Sequence, residues 1–153
     1  MGWLELKIPP PVVALAFGLL MWLASPLVAP VEIPSGFRSG VAAVLAAAGV
    51  VVDVVALITF LRARTTINPT RPGATSTLVT GGVFRLSRNP MYLGLLLFLL
   101  AWAVYLSSWL ALLFVPLFVV YINRFQIEPE ERALLALFGP EYASYQARAR
   151  RWL

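Results

Sequence analysis

Cysteine and histidine are both missing from this chain of 153 residues, and only 12% of its side chains are charged. Without cysteine there is no disulfide framework, no thiolate nucleophile and no Cys-based metal or iron–sulfur site; no metal centre is expected. Without histidine the usual general base near neutral pH is absent. So little charge, set against 60% hydrophobic residues and a mean hydropathy of +0.83, excludes a soluble domain. The apolar runs also lack the alternation of polar and apolar residues that barrel strands need. The expected fold is therefore all-α, a polytopic membrane protein whose backbone polar groups are satisfied inside helices.

Four apolar segments are present, at about Val12 to Ala29, Val41 to Leu61, Met91 to Leu106 and Trp109 to Asn123. The last two are short and read as one hairpin turning near Ser107-Ser108. The first reads as a span, not as a cleaved leader, because Pro30 would follow its only small-residue cleavage site, Val28-Ala29. Only Arg38 lies in the first interhelical loop, whereas Lys7 and the other arginines fall on the opposite side. The positive-inside rule then puts both termini and the Arg62 to Asn89 loop in the cytoplasm, as expected of a bacterial or archaeal cytoplasmic membrane. A pI near 10 fits anchoring to anionic headgroups, and no nucleic-acid partner is expected. The chain reads as a single membrane domain: a two-helix part over 1–64, a polar loop over 65–90, and the hairpin with short cytoplasmic C-terminal helices over 91–153.

Ala42, Ala43, Ala46, Ala47 and Gly49 form a small-residue face suited to close helix packing. Asp53 stands out in the same span, since a carboxylate there must pair or face water. Thr59, Arg62 and Arg64 are candidate partners, and a packing role and a functional role for Asp53 stand level. The loop from Arg62 to Thr80, with Thr65, Thr66, Asn68, Pro69, Arg71, Pro72 and Gly73, is long enough to line or cover a site.

Asn89-Pro90 reads as a helix start, with Asn at the cap and Pro at the first helical position. With Arg85 and Arg88 just ahead, the same helix terminus is also suited to an anion. Tyr92 and Gly94 follow within its first turns. Glu128-Pro129-Glu130-Glu131 reads as a second helix start with acids in its first turn, or as carboxylates that hold ribose hydroxyls or a cation. Gly139-Pro140 breaks that helix and opens another, which carries Tyr142 and Tyr145 on one face; these tyrosines, like Arg148, Arg150, Arg151 and Trp152, also suit membrane anchoring.

Together these segments resemble the isoprenylcysteine carboxyl methyltransferases and the related phospholipid methyltransferases. The resemblance runs from about Leu78 to Leu153, through Gly82-Val83-Phe84-Arg85, Arg88-Asn89-Pro90-x-Tyr92-x-Gly94, Glu130-Glu131, Phe138-Gly139-x-x-Tyr142-x-x-Tyr145 and Arg150-Arg151-Trp152. It departs from the commoner pattern at Asn89, where many members carry His, so an imidazole cannot act there. It implies an S-adenosylmethionine site facing the cytoplasm and roofed by the C-terminal helices. Cofactor contacts are then expected from Arg85, Arg88, Asn89, Pro90, Tyr92, Gly94, Glu130, Glu131, Tyr142 and Tyr145, with Glu131, Arg151 and Asp53 as catalytic candidates.

Methyl transfer tolerates the lack of histidine, because the sulfonium is already activated and alignment supplies much of the rate. A carboxylate acceptor needs no prior loss of a proton, whereas an amine or phenol would need Glu130, Glu131 or Asp53 as base. The expected acceptor is amphiphilic, an isoprenylcysteine carboxylate, a phospholipid amine or similar, entering from the bilayer. Two other classes stay open: an NADPH-dependent membrane reductase of the sterol-reductase type, and a small four-helix transporter coupled through Asp53, with Pro116 marking a kink or a broken helix.

Overall fold

A computed structural model describes residues 5–63 and 77–153 of the chain. The fold is helical, and no strand occurs among the described residues. Helix α1 spans Pro10–Ala24 and α2 spans Ser35–Ala63; α3, Pro90–Leu106, and α4, Trp109–Ile122, form the expected hairpin, followed by α5, Glu128–Phe138, and α6, Pro140–Arg148. Three stretches, Pro10–Leu27, Ser35–Ala63 and Trp109–Phe138, are long and apolar enough to cross a membrane, and α3 is a shorter apolar helix beside them. The protein is thus an integral membrane protein of four packed helices.

Proline sets several of the helix starts, because its fixed φ suits the first turn and its missing N–H is not needed there. It stands at the start of α1, α3, α5 and α6. The hairpin turns where expected: Ser107 adopts a left-handed backbone with φ 53°, and the Ser108 hydroxyl caps α4 by accepting from the Ala111 N–H at 3.4 Å. The same turn ties down the first interhelical loop, as Ser107 Oγ donates to the Val31 carbonyl at 2.7 Å and the Val31 N–H donates to the Ser107 carbonyl at 2.7 Å. Both turns therefore lie at one end of the bundle, with Glu32 and Arg38, and most of the charged residues gather at the other.

Helix α1 packs on α3 and α4, whereas α2 packs chiefly on α3. The small-residue face of α2 explains part of this: Ala42, Gly49 and Ala56 are buried, but Ala43 and Ala47 are exposed. At Gly49 a Cβ would lie 3.1 Å from the Gly94 carbonyl, so glycine is what lets the two backbones close there.

One expected helix start is a continuation. Residues Asn123–Ile127 form a single π turn that carries α4 into α5, so Glu128 follows an unbroken rod. Pro129 is tolerated because the wide turn leaves local carbonyls free of i+4 partners. The N-terminal segment uses that break: the Leu6 N–H donates to the Phe125 carbonyl at 3.0 Å, and Gln126 Nε2 donates to the Ile8 carbonyl at 2.8 Å. Gly139, with φ 51°, ends α5 and turns α6 back over the charged end. The tail after α6 then runs beside residues 87–89, where the Arg88 N–H donates to the Arg150 carbonyl at 2.8 Å. The loop residues Arg64, Thr65, Thr66, Asn68, Pro69, Arg71, Pro72 and Gly73 lie outside the described residues.

Candidate functional site

At the charged end, α2, α3, α5 and α6 enclose a cavity of about 600 Å³. Its polar lining includes Asp53, Arg88, Asn89, Tyr92, Glu130, Glu131, Tyr142 and Tyr145, with Thr77 and Pro90 beside them. Nine of the expected site residues thus come together. Arg85 is exposed on the short turn Gly82–Arg85, and neither it, Gly94 nor Arg151 lines the cavity.

A clamp forms one wall. Glu131 accepts from Arg88 Nη2 at 2.8 Å through Oε1 and from Arg151 Nη2 at 2.6 Å through Oε2, with Arg151 Nε adding a contact to Oε1 at 3.3 Å. Arg88 Nη1 donates in addition to the carbonyls of Gln146 and Ala149, at 3.0 and 2.6 Å. These charge-assisted bonds join the start of α3, the first turn of α5 and the tail into one unit. The bond to Glu131 raises the pKa of Arg151 above its ordinary value, so that guanidinium stays charged. Both Glu131 oxygens are thus engaged in the clamp. Arg88 Nε, by contrast, is buried without a partner among the described residues.

Asn89 does not cap α3 with its side chain; Nδ2 donates to the Arg151 carbonyl at 2.9 Å, and the Asn89 N–H donates to Ser87 Oγ at 3.1 Å. Asn89 thus stands at the cap position expected from the sequence, but its amide is turned to the tail and makes no side-chain cap bond. Tyr92 OH, one turn on, donates to Glu130 Oε2 at 2.8 Å. Adjacent glutamates therefore do different work, Glu131 locked in a clamp and Glu130 facing the cavity with one tyrosine partner.

The tyrosines of α6 are wall residues and not interfacial anchors. Tyr142 is 2% exposed and Tyr145 5%, with their ring centroids 6.1 Å apart. Tyr145 OH donates to the Phe84 carbonyl at 2.7 Å. Burial pushes the Tyr145 phenol up to about 12, and Tyr142 rises further through burial and then through the nearby Glu131 charge. Both are neutral donors over any ordinary pH range.

Asp53 reaches the cavity from α2 and packs against α3 at Gly94, where a Cβ would overlap its carboxylate. The suggested partners do not meet it: Thr59 Oγ1 donates to its own helix at the Val55 carbonyl, 2.7 Å away, Arg62 is exposed, and Arg64 lies outside the described residues. Asp53 Oδ1 is buried with no partner among the described residues. Residues that sequence reasoning did not single out complete the apolar lining, among them Phe60, Leu78, Val79 and Leu134. Pro9, Pro10 and Pro11, read as a stop to α1, also lie on the rim. Only their nearness to the charged end could have signalled that.

Membrane-length helices with a largely apolar cavity at one end, into which a few charged and phenolic groups converge, define the class, an integral membrane protein. Residues 37–141 match the family model described as phospholipid methyltransferase, and the chain belongs to that family. The match takes in Asp53, the Arg88 to Gly94 stretch and the Glu130-Glu131 pair, and stops just short of Tyr142. A protein of Haemophilus influenzae (strain ATCC 51907 / DSM 11121 / KW20 / Rd), described as uncharacterized, is 52% identical over 63 residues, covering 41% of this chain and all of that protein. No solved structure matches.

Proposed function

We propose that the protein transfers a methyl group from S-adenosylmethionine to an amphiphilic, lipid-like acceptor at the cytoplasmic face of the membrane. One observation carries this reading: two carboxylates, Glu130 and Asp53, face a single cavity at the charged end of a membrane bundle, while Glu131 is neutralised by two arginines. The cavity is acidic where it is not clamped, which suits a cation. Membership of the phospholipid methyltransferase family supports the same chemistry.

The residues fit the cofactor. The volume of about 600 Å³ lies within the range of small-molecule sites, and a buried donor of the lining, Arg88 Nε, has no partner among the described residues. S-adenosylmethionine, when bound, supplies an electrophilic methyl group on a positively charged sulfur. Arg88 would hold its carboxylate through Nε, and Glu130, oriented by Tyr92, would take ribose hydroxyls or the positive charge. Tyr142, Tyr145 and Phe84 would exclude water. Glu131 and Arg151 act as a positioning pair that keeps the roof shut.

Asp53 serves the acceptor. It reaches the cavity from the bilayer-embedded part of α2, opposite the clamp, where a headgroup carried on a lipid chain arrives. A carboxylate there favours a headgroup that donates hydrogen bonds or carries positive charge, and it can accept the proton that an amine loses on methylation. Lys7 and the arginines at this end support a cytoplasmic orientation for it.

The test is calorimetric titration of the purified protein with S-adenosylmethionine and, separately, NADPH, followed by labelled-methyl transfer into a total membrane lipid extract. Saturable binding of the first alone, with label recovered in lipid, is the expected result. Binding of NADPH alone would overturn the reading in favour of a reductase.

A further inference from the structure

The walls of the cavity are fastened unequally. On the roof side the Glu131 carboxylate is held by two guanidinium groups, and Arg88, Asn89 and Tyr145 each bond a carbonyl of a distant segment. On the α1 side the rim is Pro9, Pro10 and Pro11, reached through a strap of residues 5–9 that leads into the helix.

That strap is tied to the α4–α5 rod at the π turn. The Leu6 N–H donates to the Phe125 carbonyl at 3.0 Å, and Gln126 Nε2 donates to the Ile8 carbonyl at 2.8 Å. Glu5 adds a third tie, accepting from Arg124 at 3.3 Å through Oε1 and from Arg132 at 2.8 Å through Oε2. The Glu5 side chain is 6% exposed, but the two arginines are 53% and 55% exposed, so water competes for them and the pairs are weak. Arg124 is also shared with Glu128, at 3.6 Å.

Fastened in this way, the strap carries two local penalties. Leu6 has a left-handed backbone, with φ 57°, which a residue bearing a side chain rarely adopts. Gln126 is fully buried, and its Oε1 has no partner among the described residues, so the amide that holds Ile8 is only half satisfied. Lifting the strap relieves both, because Leu6 relaxes and water reaches the amide. Pro9 to Pro11 have fixed φ, so displacement of the strap is passed to the rim and not absorbed by a flexible link.

We propose that the strap is the gate of the cavity: S-adenosylmethionine enters, and its demethylated product leaves, when residues 5–9 lift from the π turn. The proposal rests on the reading of the cavity as a methyl-transfer site and adds the moving part to it. Glu5 and Gln126 are positioning residues that set how long the gate stays shut, and neither lines the cavity. Loosening a tie that lies outside the cavity therefore speeds entry and exit alike and leaves the affinity in place.

The test uses the full chain in lipid nanodiscs. Stopped-flow binding of S-adenosylmethionine and S-adenosylhomocysteine reads the gate, and hydrogen exchange over residues 5–8 without either reads the strap alone. Glu5→Gln should speed that exchange and raise the association and dissociation rates together, about three- to fivefold, the size expected for two lost pairs with exposed arginines. The dissociation constant should hold. Added salt should speed the parent in the same way and Glu5→Gln far less, because the variant has no pair left to screen. The chain contains no cysteine, so Glu5→Cys with Arg132→Cys lets a reducible bifunctional thiol reagent tie the strap down. Tying should slow both rates by about tenfold or more, as for a gated site, and reduction should restore them.

Unaltered binding rates in Glu5→Gln, with or without faster exchange at the strap, would overturn the gate. So would a change confined to one of the two rates, which marks a binding residue, or rates indifferent to the tether. Absence of S-adenosylmethionine binding to the parent protein would instead remove the methyl-transfer reading itself, and the gate with it.

Discussion

The carboxylate of Asp53 occupies the space in which a side chain on Gly94 would sit. A glycine that resembles a cofactor-binding position thus serves as a seat, letting α2 bring an acid up to α3. Gly94→Ala forces the two groups apart at the tightest point of the α2–α3 contact, and overpacking of this kind costs about 1–3 kcal/mol. Thermal unfolding in detergent should show the loss. Combining it with Asp53→Ala should restore most of the stability, because the clash needs both partners. Equal destabilisation with and without Asp53 would rule the seat out.

Glu131 holds the roof by pairing with Arg88 and Arg151 at once. Arg88 and Glu131 are each 12% exposed at the side chain, but Arg151 is 37% exposed, so the first pair dominates. Removing one partner of a buried pair costs about 3–5 kcal/mol, and the more exposed bond adds little. Glu131→Gln should therefore loosen the α6 and tail segment. Faster hydrogen exchange over residues 142–152, with α1 and α4 unchanged, is the expected pattern.

The pair Tyr92 and Glu130 separates structure from binding. Glu130→Gln keeps an acceptor for the Tyr92 hydroxyl, now 2.8 Å from Oε2, and should leave thermal stability nearly unchanged. It removes the negative charge, and S-adenosylmethionine affinity should fall. Tyr92→Phe instead leaves a carboxylate without its donor, costing about 1–3 kcal/mol of stability. Calorimetric titration and thermal unfolding of both variants check the split. Unchanged affinity in Glu130→Gln would remove Glu130 from the cofactor site.

The bundle was largely legible in the sequence because each span is a long apolar run and each turn carries its own chemistry: Ser107-Ser108 for the hairpin, Gly139-Pro140 for the bend into α6. The π turn was not, since Asn123 to Ile127 carries no composition that distinguishes it from ordinary helix. Single-residue roles were less legible than their neighbourhood. Glu130 and Glu131 are adjacent and alike in sequence, and only the approach of Arg88 and of the Arg151 tail, both distant along the chain, decides which is paired. Gly94 and Asp53 could not be paired either, because their contact depends on the register of α2 against α3, which two apolar helices do not encode in their hydrophobicity.

Tyr145 gives a pH signature. Its folded-state pKa, near 12, lies above the ordinary phenol value of 10 because burial disfavours the charged form. The folded state therefore holds the proton while the unfolded chain has lost it, and stability falls as pH rises from 10 through 12. Below pH 10 this group contributes no slope. Tyr145→Phe should flatten that alkaline loss, while costing about 1 kcal/mol at neutral pH for the hydrogen bond to the Phe84 carbonyl. Phenolate absorbance and unfolding followed together across this range provide the check.

Asp53 is the sharpest test of acceptor chemistry. A carboxylate in a membrane span with no partner is costly, on the order of 2.5–3.5 kcal/mol near a helix centre on insertion scales. Asp53→Asn lifts that cost without changing shape, so the variant should be at least as stable as the parent. A role in packing alone would predict the reverse, or no change in turnover. If Asp53 receives the headgroup, labelled-methyl transfer to an alkylamine should fall at least tenfold, about 1.4 kcal/mol in the barrier, while cofactor affinity holds. The same substitution should penalise a carboxylate acceptor far less, because a neutral amide no longer repels it. Equal losses for amine and carboxylate acceptors would place Asp53 outside acceptor recognition and return it to the packing of α2 on α3.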